Sequence, residues 1–256
     1  MKDGAAPSQR AIEENAEILA QYGAICQANG LVPIIEPEVL MDGNHDIQRS
    51  YDVTYQVHAA VVEAMQRHKV MLDGIIFKPN MVRPGSDAKP VSAATVARET
   101  VRVLQNTLPA AVPGVVFLSG GMTDEFATEC LNEINKLPLD PRPWTLSFSY
   151  GRALQQSVLK IYLGKAENVE AAQKELLLRA KANSLASLGT YADRFVHRTH
   201  ATSVLAEIQS AVDACSVSDK DPDKEKSSFA EELMATAVGK QNLLFVQSVC
   251  LPATVQ

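Results

Sequence analysis

The 256 residues, 46% of them hydrophobic, are enough to bury a sizeable core. A formal net charge of −6 argues against a nucleic-acid partner, because a phosphate backbone calls for clustered cations. No run is long and apolar enough to cross a bilayer, and the opening Met1-Lys2-Asp3-Gly4 leads into no secretory signal, so a soluble intracellular protein is expected.

In chain order, Ser8 is a suitable cap for a helix through Asn29, with Ile12, Ala16, Leu19, Gly23 and Cys26 along one face and Gly30 beyond its end. Leu31-Val32-Pro33-Ile34-Ile35 then reads as a short buried strand. A second helix is expected from Gln48 to Lys69, with Val53, Val57, Ala60, Val61 and Ala64 as its buried stripe. Gly74-Ile75-Ile76-Phe77-Lys78 is the next apolar run, ended by Pro79. Ser92 opens a third helix that stops before Pro109, and Gly114-Val115-Val116-Phe117-Leu118 is a third strand. Thr123 caps a fourth helix, with Asp124 and Glu125 in its first turn and Phe126, Cys130 and Ile134 turned inward. Trp144-Thr145-Leu146-Ser147-Phe148 makes a fourth strand, Gly151-Arg152 starts a short helix, and a last helix over Asn168–Leu188 is stopped by Gly189. Residues 216–228, charged and serine-rich, read as a disordered linker, and 229–249 as an amphipathic helix or two.

Strands that alternate with helices and are apolar throughout belong to a parallel sheet covered on both faces. In such sheets the carboxyl ends of the strands gather at one rim. Here those ends carry Glu36 and Glu38, Lys78, Ser119-Gly120-Gly121, and Ser149-Tyr150-Gly151-Arg152. An ammonium at a low-dielectric strand end is penalised by desolvation, which leaves more neutral amine to attack a carbonyl. Alone, Lys78 reads more simply as a lysine reaching solvent past its strand, and Glu36 and Glu38 as solvated acids. Four strand ends bearing chemistry together favour a site. The cysteines at 26, 130, 215 and 250 lie far apart without metal-ligand spacing and read as reduced thiols of a cytosolic protein. The histidines form no cluster, and His45 and His58 are expected in surface contacts or packing; neither metal nor cofactor is expected.

Long strings make the chain resemble the class I fructose-bisphosphate aldolases from about Lys2 to Tyr191. They are Glu14-Asn15-Ala16, Val32-Pro33-Ile34-Ile35-Glu36-Pro37-Glu38, Lys78-Pro79-Asn80-Met81-Val82, Phe117-Leu118-Ser119-Gly120-Gly121 and Phe148-Ser149-Tyr150-Gly151-Arg152-Ala153-Leu154. The resemblance implies an α/β fold of the TIM (β/α)8 barrel kind. Here it implies a partial barrel lacking about the first four β/α units. Residues 1–191 form the carboxyl-terminal half of that barrel and 192–256 a divergent tail.

Roles follow from the same resemblance. Lys78 matches the lysine that forms an imine with the ketose carbon, which makes an electron sink for carbon–carbon cleavage. Glu36 matches the acid that assists carbinolamine dehydration, and a second carboxylate at Glu38 would favour its protonated form. Ser119, Gly120, Ser149, Gly151 and Arg152 match the pocket for one substrate phosphate, where glycines admit backbone amides and the arginine adds a planar cation.

The family's catalytic aspartate, on its first strand, and two active-site lysines, on its third and fourth, have no counterpart here; nor has the terminal tyrosine of the family's tail. The expectation is a cytoplasmic (alternatively plastid) lyase that cleaves fructose 1,6-bisphosphate reversibly into dihydroxyacetone phosphate and glyceraldehyde 3-phosphate, impaired in this chain. Its partners would be the phosphorylated ketose and either copies of itself, as a homo-oligomer, or a full-length aldolase. The alternative is a non-catalytic half-barrel that binds or regulates full-length aldolase.

Overall fold

The computed structural model describes residues 6–138 and 143–192. Helix α1 (Gln9–Ala28) begins where the Ser8 hydroxyl accepts from the Ala11 amide at 3.2 Å, and the chain reverses through Gly30 at φ +73°. Strand β1 (Ile34–Ile35) follows, then α2 (Ile47–Arg67), β2 (Ile76–Phe77), α3 (Ala93–Thr107), β3 (Gly114–Phe117), α4 (Asp124–Lys136), β4 (Thr145–Phe148), α5 (Arg152–Tyr162) and α6 (Val169–Ser187). Ser92 and Thr123 cap α3 and α4 as their positions predict. The cap of α2 is Asp46, whose carboxylate accepts from the Arg49 amide at 2.8 Å, so the helix starts slightly earlier than its apolar stripe suggested. The expected linker over 216–228 and helix over 229–249 lie outside the described residues.

The four strands form one parallel sheet in the order β1-β2-β3-β4. β1 and β2 are two residues long, shorter than the runs that announced them. Prolines explain much of the difference. Pro33 has no N–H to donate, Pro79 interrupts the chain after Lys78, and residues 72–74 close a single 3-10 turn. Pairing nonetheless continues past both ends, through Ile76 N to Pro33 O at 3.0 Å and Lys78 N to Ile35 O at 2.8 Å.

The pleat sorts residues between two faces. Ile35, Phe77, Val115, Phe117 and Leu146 are buried under the helices in a single core with Met65, Leu104, Leu131 and Ile134. His58 of α2 lies in that core, edge-on to Phe77 with ring centroids 5.0 Å apart, and burial pushes its pKa down to about 3. It serves packing, one of the two roles expected of it. Cys130 is buried too, its thiol pushed up to about 12 by desolvation, which makes it inert. Helix α6 is tied to α4 by the buried Arg179, which donates to Asp124 O at 2.6 Å and Thr128 Oγ1 at 2.8 Å. The other face of the sheet carries Ile34, Ile76, Val116 and Ser147, and on it the chain runs on to the charged residues of the rim.

Candidate active site

Register explains why the two charged residues meet. Ile35 pairs with Phe77 in parallel strands, so the following residues, Glu36 and Lys78, emerge side by side on the face opposite the helices. Lys78 Nζ lies 3.2 Å from Glu36 Oε1, with the lysine side chain 20% exposed and the glutamate 43%. The amine is thus largely withdrawn from water but still reachable, and a carboxyl group stands within proton-transfer range of whatever forms on the nitrogen.

Glu38 reaches the loop after β3. Its Oε1 lies 3.5 Å from the point where a Cβ on Gly120 would stand, beside the loop after β3, and among the described residues it forms no ion pair with Lys78. The loop that carries both glutamates is anchored by Asn80, whose Oδ1 accepts from the Val39 amide at 2.8 Å. Asn80 appears in the sequence only as part of the Lys78-Pro79-Asn80 string; its partner, 41 residues away, is visible only in the fold.

The loop after β3 and the start of α5 form a second cluster. Ser119 is buried, and its hydroxyl accepts from the Ala153 amide in the first turn of α5 at 3.4 Å. Phe117 O receives the Ser149 amide at 2.9 Å, which sets Ser149 at the end of β4 beside the loop. Gly151 occupies the cap position of α5 without any side-chain cap, and a Cβ there would meet nothing within 4 Å. The Ala153 amide goes to Ser119, and the Leu154 and Gln155 amides go to Gly151 O at 3.2 and 3.0 Å, beside the open space at Gly151. Arg152 is exposed in this first turn and forms no ion pair among the described residues. A cation at the positive end of a helix is unfavourable alone, and an anion beside Arg152 relieves it. A small cavity bordered by the loops after β1, β2 and β3 is lined by Met41, His45, Asn80, Arg83 and Gly120. Met41 and Arg83 carry no signal in the sequence that marks them as site residues.

Residues 2–210 match the family model described as fructose-bisphosphate aldolase class-I (Glycolytic). The chain belongs to this family. It is 59% identical over 185 residues to the cytoplasmic isozyme 2 of fructose-bisphosphate aldolase from Pisum sativum, covering 72% of this chain and 51% of that protein. With the fructose-bisphosphate aldolase of Dictyostelium discoideum it shares 57% identity over 187 residues, 72% of this chain and 52% of the relative. This aldolase-family chain thus spans about half the length of the curated relatives it matches. Among solved structures, Plasmodium falciparum fructose-bisphosphate aldolase in complex with TRAP and a small-molecule inhibitor superposes with a TM-score of 0.71 at 50% identity, over 73% of this chain and 53% of that one.

Proposed function

We propose that the chain carries the imine-forming half of a class I fructose-bisphosphate aldolase site, on residues 1–191 arranged as four units of a TIM barrel. The reading is carried by the 3.2 Å approach of Lys78 Nζ to Glu36 Oε1. The neutral amine adds to the ketose carbonyl carbon to give a carbinolamine. Protonated Glu36 donates to the departing hydroxyl, water leaves, and the nitrogen lone pair completes an iminium. The iminium then takes up the electron pair released as the neighbouring carbon–carbon bond breaks. Ser119, Gly120, Ser149, Gly151 and Arg152 hold one phosphate of the substrate and so place its ketone at Lys78. Glu38, directed to the loop, borders this phosphate subsite and is the third catalytic candidate beside Lys78 and Glu36. The substrate would be fructose 1,6-bisphosphate, its products dihydroxyacetone phosphate and glyceraldehyde 3-phosphate. The cytoplasm is the expected compartment, after the names of the relatives. Cleavage also requires a base for a substrate hydroxyl, and the 256-residue chain by itself should form the imine far better than it cleaves.

Borohydride reduction with dihydroxyacetone phosphate, followed by peptide mass analysis, tests the reading. A stable adduct on Lys78 is expected; an adduct on another lysine, or none, overturns it.

A second reading has an observation of its own. Apolar side chains stand exposed at the outer strand β1, Val32 at 66% and Ile34 at 43%, and on and just after helix α5, Leu159 at 63% and Leu163 at 66%. Surfaces of this kind suit association, and the chain would then be a binding or regulatory module for full-length aldolase or for another copy of itself. Sedimentation separates the two. A complex formed only with full-length aldolase supports the module, whereas a self-assembled particle that cleaves substrate supports the enzyme.

A further inference from the structure

We propose that Met41 is an oxidation site whose thioether sets the position of the 119–121 loop, so that peroxide turns a phosphate-accepting loop into one that rejects the anion. The inference rests on reading this loop as part of a phosphate subsite.

The backbone of Met41 is fixed from behind. Its carbonyl accepts from the Ser86 amide at 2.8 Å, Gly43 O accepts from Asp87 N at 2.9 Å, and His45 O accepts from Gly85 N at 2.9 Å. With the Val39–Asn80 hydrogen bond, these contacts stitch the loop after β1 along its length to the loop after β2. The Met41 side chain, half-buried, reaches from this anchored backbone onto the loop after β3. A Cβ on Gly120 would fall 2.5 Å from Met41 Cε, and one on Gly121 would overlap Sδ. The sulfur therefore rests directly on glycine backbone. Gly121 has φ +68°, so that backbone conformation is available to the glycine but strained for other residues.

Hydrogen peroxide supplies the chemistry. A sulfur lone pair attacks one peroxide oxygen, the O–O bond breaks, and the departing hydroxide takes up a proton and leaves as water; the thioether is oxidised by two electrons and the peroxide reduced. The sulfoxide adds an atom where the thioether meets glycine backbone, and its oxygen carries partial negative charge. Only the Met41 backbone is tied to the 85–87 segment, so the oxidised side chain swings off the glycines and the loop loses the contact that braces it. The new dipole also lies beside Gly120 of the phosphate subsite, and both effects weaken anion binding. Met65 and Met81 are shielded at 0% and 1% exposure, whereas Met71, at 62%, oxidises freely away from the loop and serves as an internal reference.

The experiment uses the full chain treated with hydrogen peroxide. Oxygen addition at Met41 and Met71 is followed by peptide mass, hydrogen exchange is measured on the peptide over 118–122, and affinity is measured for inorganic phosphate. Oxidation at Met41 should speed loop exchange and weaken phosphate binding, each by about fivefold, roughly the loss of one good contact. Met41→Leu, similar in volume and without sulfur, should show the same loop exchange and phosphate affinity with peroxide as without it, whatever its own starting values. Unchanged loop exchange after Met41 is oxidised overturns the proposal. So does a Met41 that stays unmodified when Met71 is fully oxidised, or a Met41→Leu chain whose loop responds to peroxide as the parent does. If the untreated chain binds no phosphate, the phosphate reading falls instead, and loop exchange alone then decides whether Met41 governs the loop.

Discussion

The amine side of the site and the anion side are built by opposite means. At the ends of β1 and β2, two charged side chains converge because neighbouring parallel strands are in register and each side chain has an ion-pair partner, Lys78 with Glu36 at 3.2 Å. At the ends of β3 and β4, the working groups are mostly backbone: an uncapped helix start at Gly151, a buried Ser119 hydroxyl holding the Ala153 amide, and one exposed guanidinium. The first arrangement suits covalent chemistry, since a nucleophile needs a proton donor at hand. The second suits holding an anion, because amide dipoles fixed by a helix need little reorganisation when it arrives. A single substitution should therefore disable the amine side and only weaken the anion side.

The largest expected effect is that of Lys78→Met, which removes the nucleophile; borohydride trapping of dihydroxyacetone phosphate should vanish while phosphate affinity stays intact. Loss of both together would mean that the two sides are not separable. Next comes Glu36→Gln, which keeps the shape but cannot donate a proton as the acid does. Imine formation should slow by about a hundredfold, at the lower end of what general acid catalysis contributes. A rate near that of the parent would assign the proton donor elsewhere.

A stability measurement sharpens the same comparison. His58 packs on Phe77, the residue just before Lys78, and its pKa is lowered from 6.5 to about 3 by burial. The unfolded chain therefore takes up a proton that the folded chain refuses. Stability is whole above pH 6.5 and declines as the pH falls toward 3. Between pH 6.5 and 5 the loss should be about 2 kcal/mol, read from urea midpoints, and His58→Leu should abolish this pH dependence. The smallest effect belongs to Arg152→Ala, which should weaken phosphate binding by about tenfold, the value of one charge-assisted hydrogen bond, and leave the amine's reactivity toward unphosphorylated dihydroxyacetone unchanged.

Much of this was legible before the fold. Ser8, Ser92 and Thr123 announce their helices because a short hydroxyl side chain answers orphan amides within three residues of itself. Lys78 and Glu36 are legible as strand-end residues for a similar reason: each follows an apolar run directly, while Arg152 opens the helix three residues further past its strand. What stayed hidden was long in sequence separation. The Asn80–Val39 hydrogen bond spans 41 residues, and the Met41 contact with Gly120 and Gly121 joins loops from different units. Glu38 shows the limit most clearly. Two positions from Glu36, it reads as that residue's partner, and its place beside Gly120 is visible only in the fold.

Local order, then, was written in the chain itself: alternating helices and strands, their capping residues, the chemistry gathered at strand ends, and the family to which the strings belong. These depend on neighbours a few residues apart. The tertiary structure alone decided strand register, and hence that Lys78 and Glu36 touch. It also decided which loop Glu38 faces and what holds Met41 against the glycines, because such distances depend on how separate β/α units pack together.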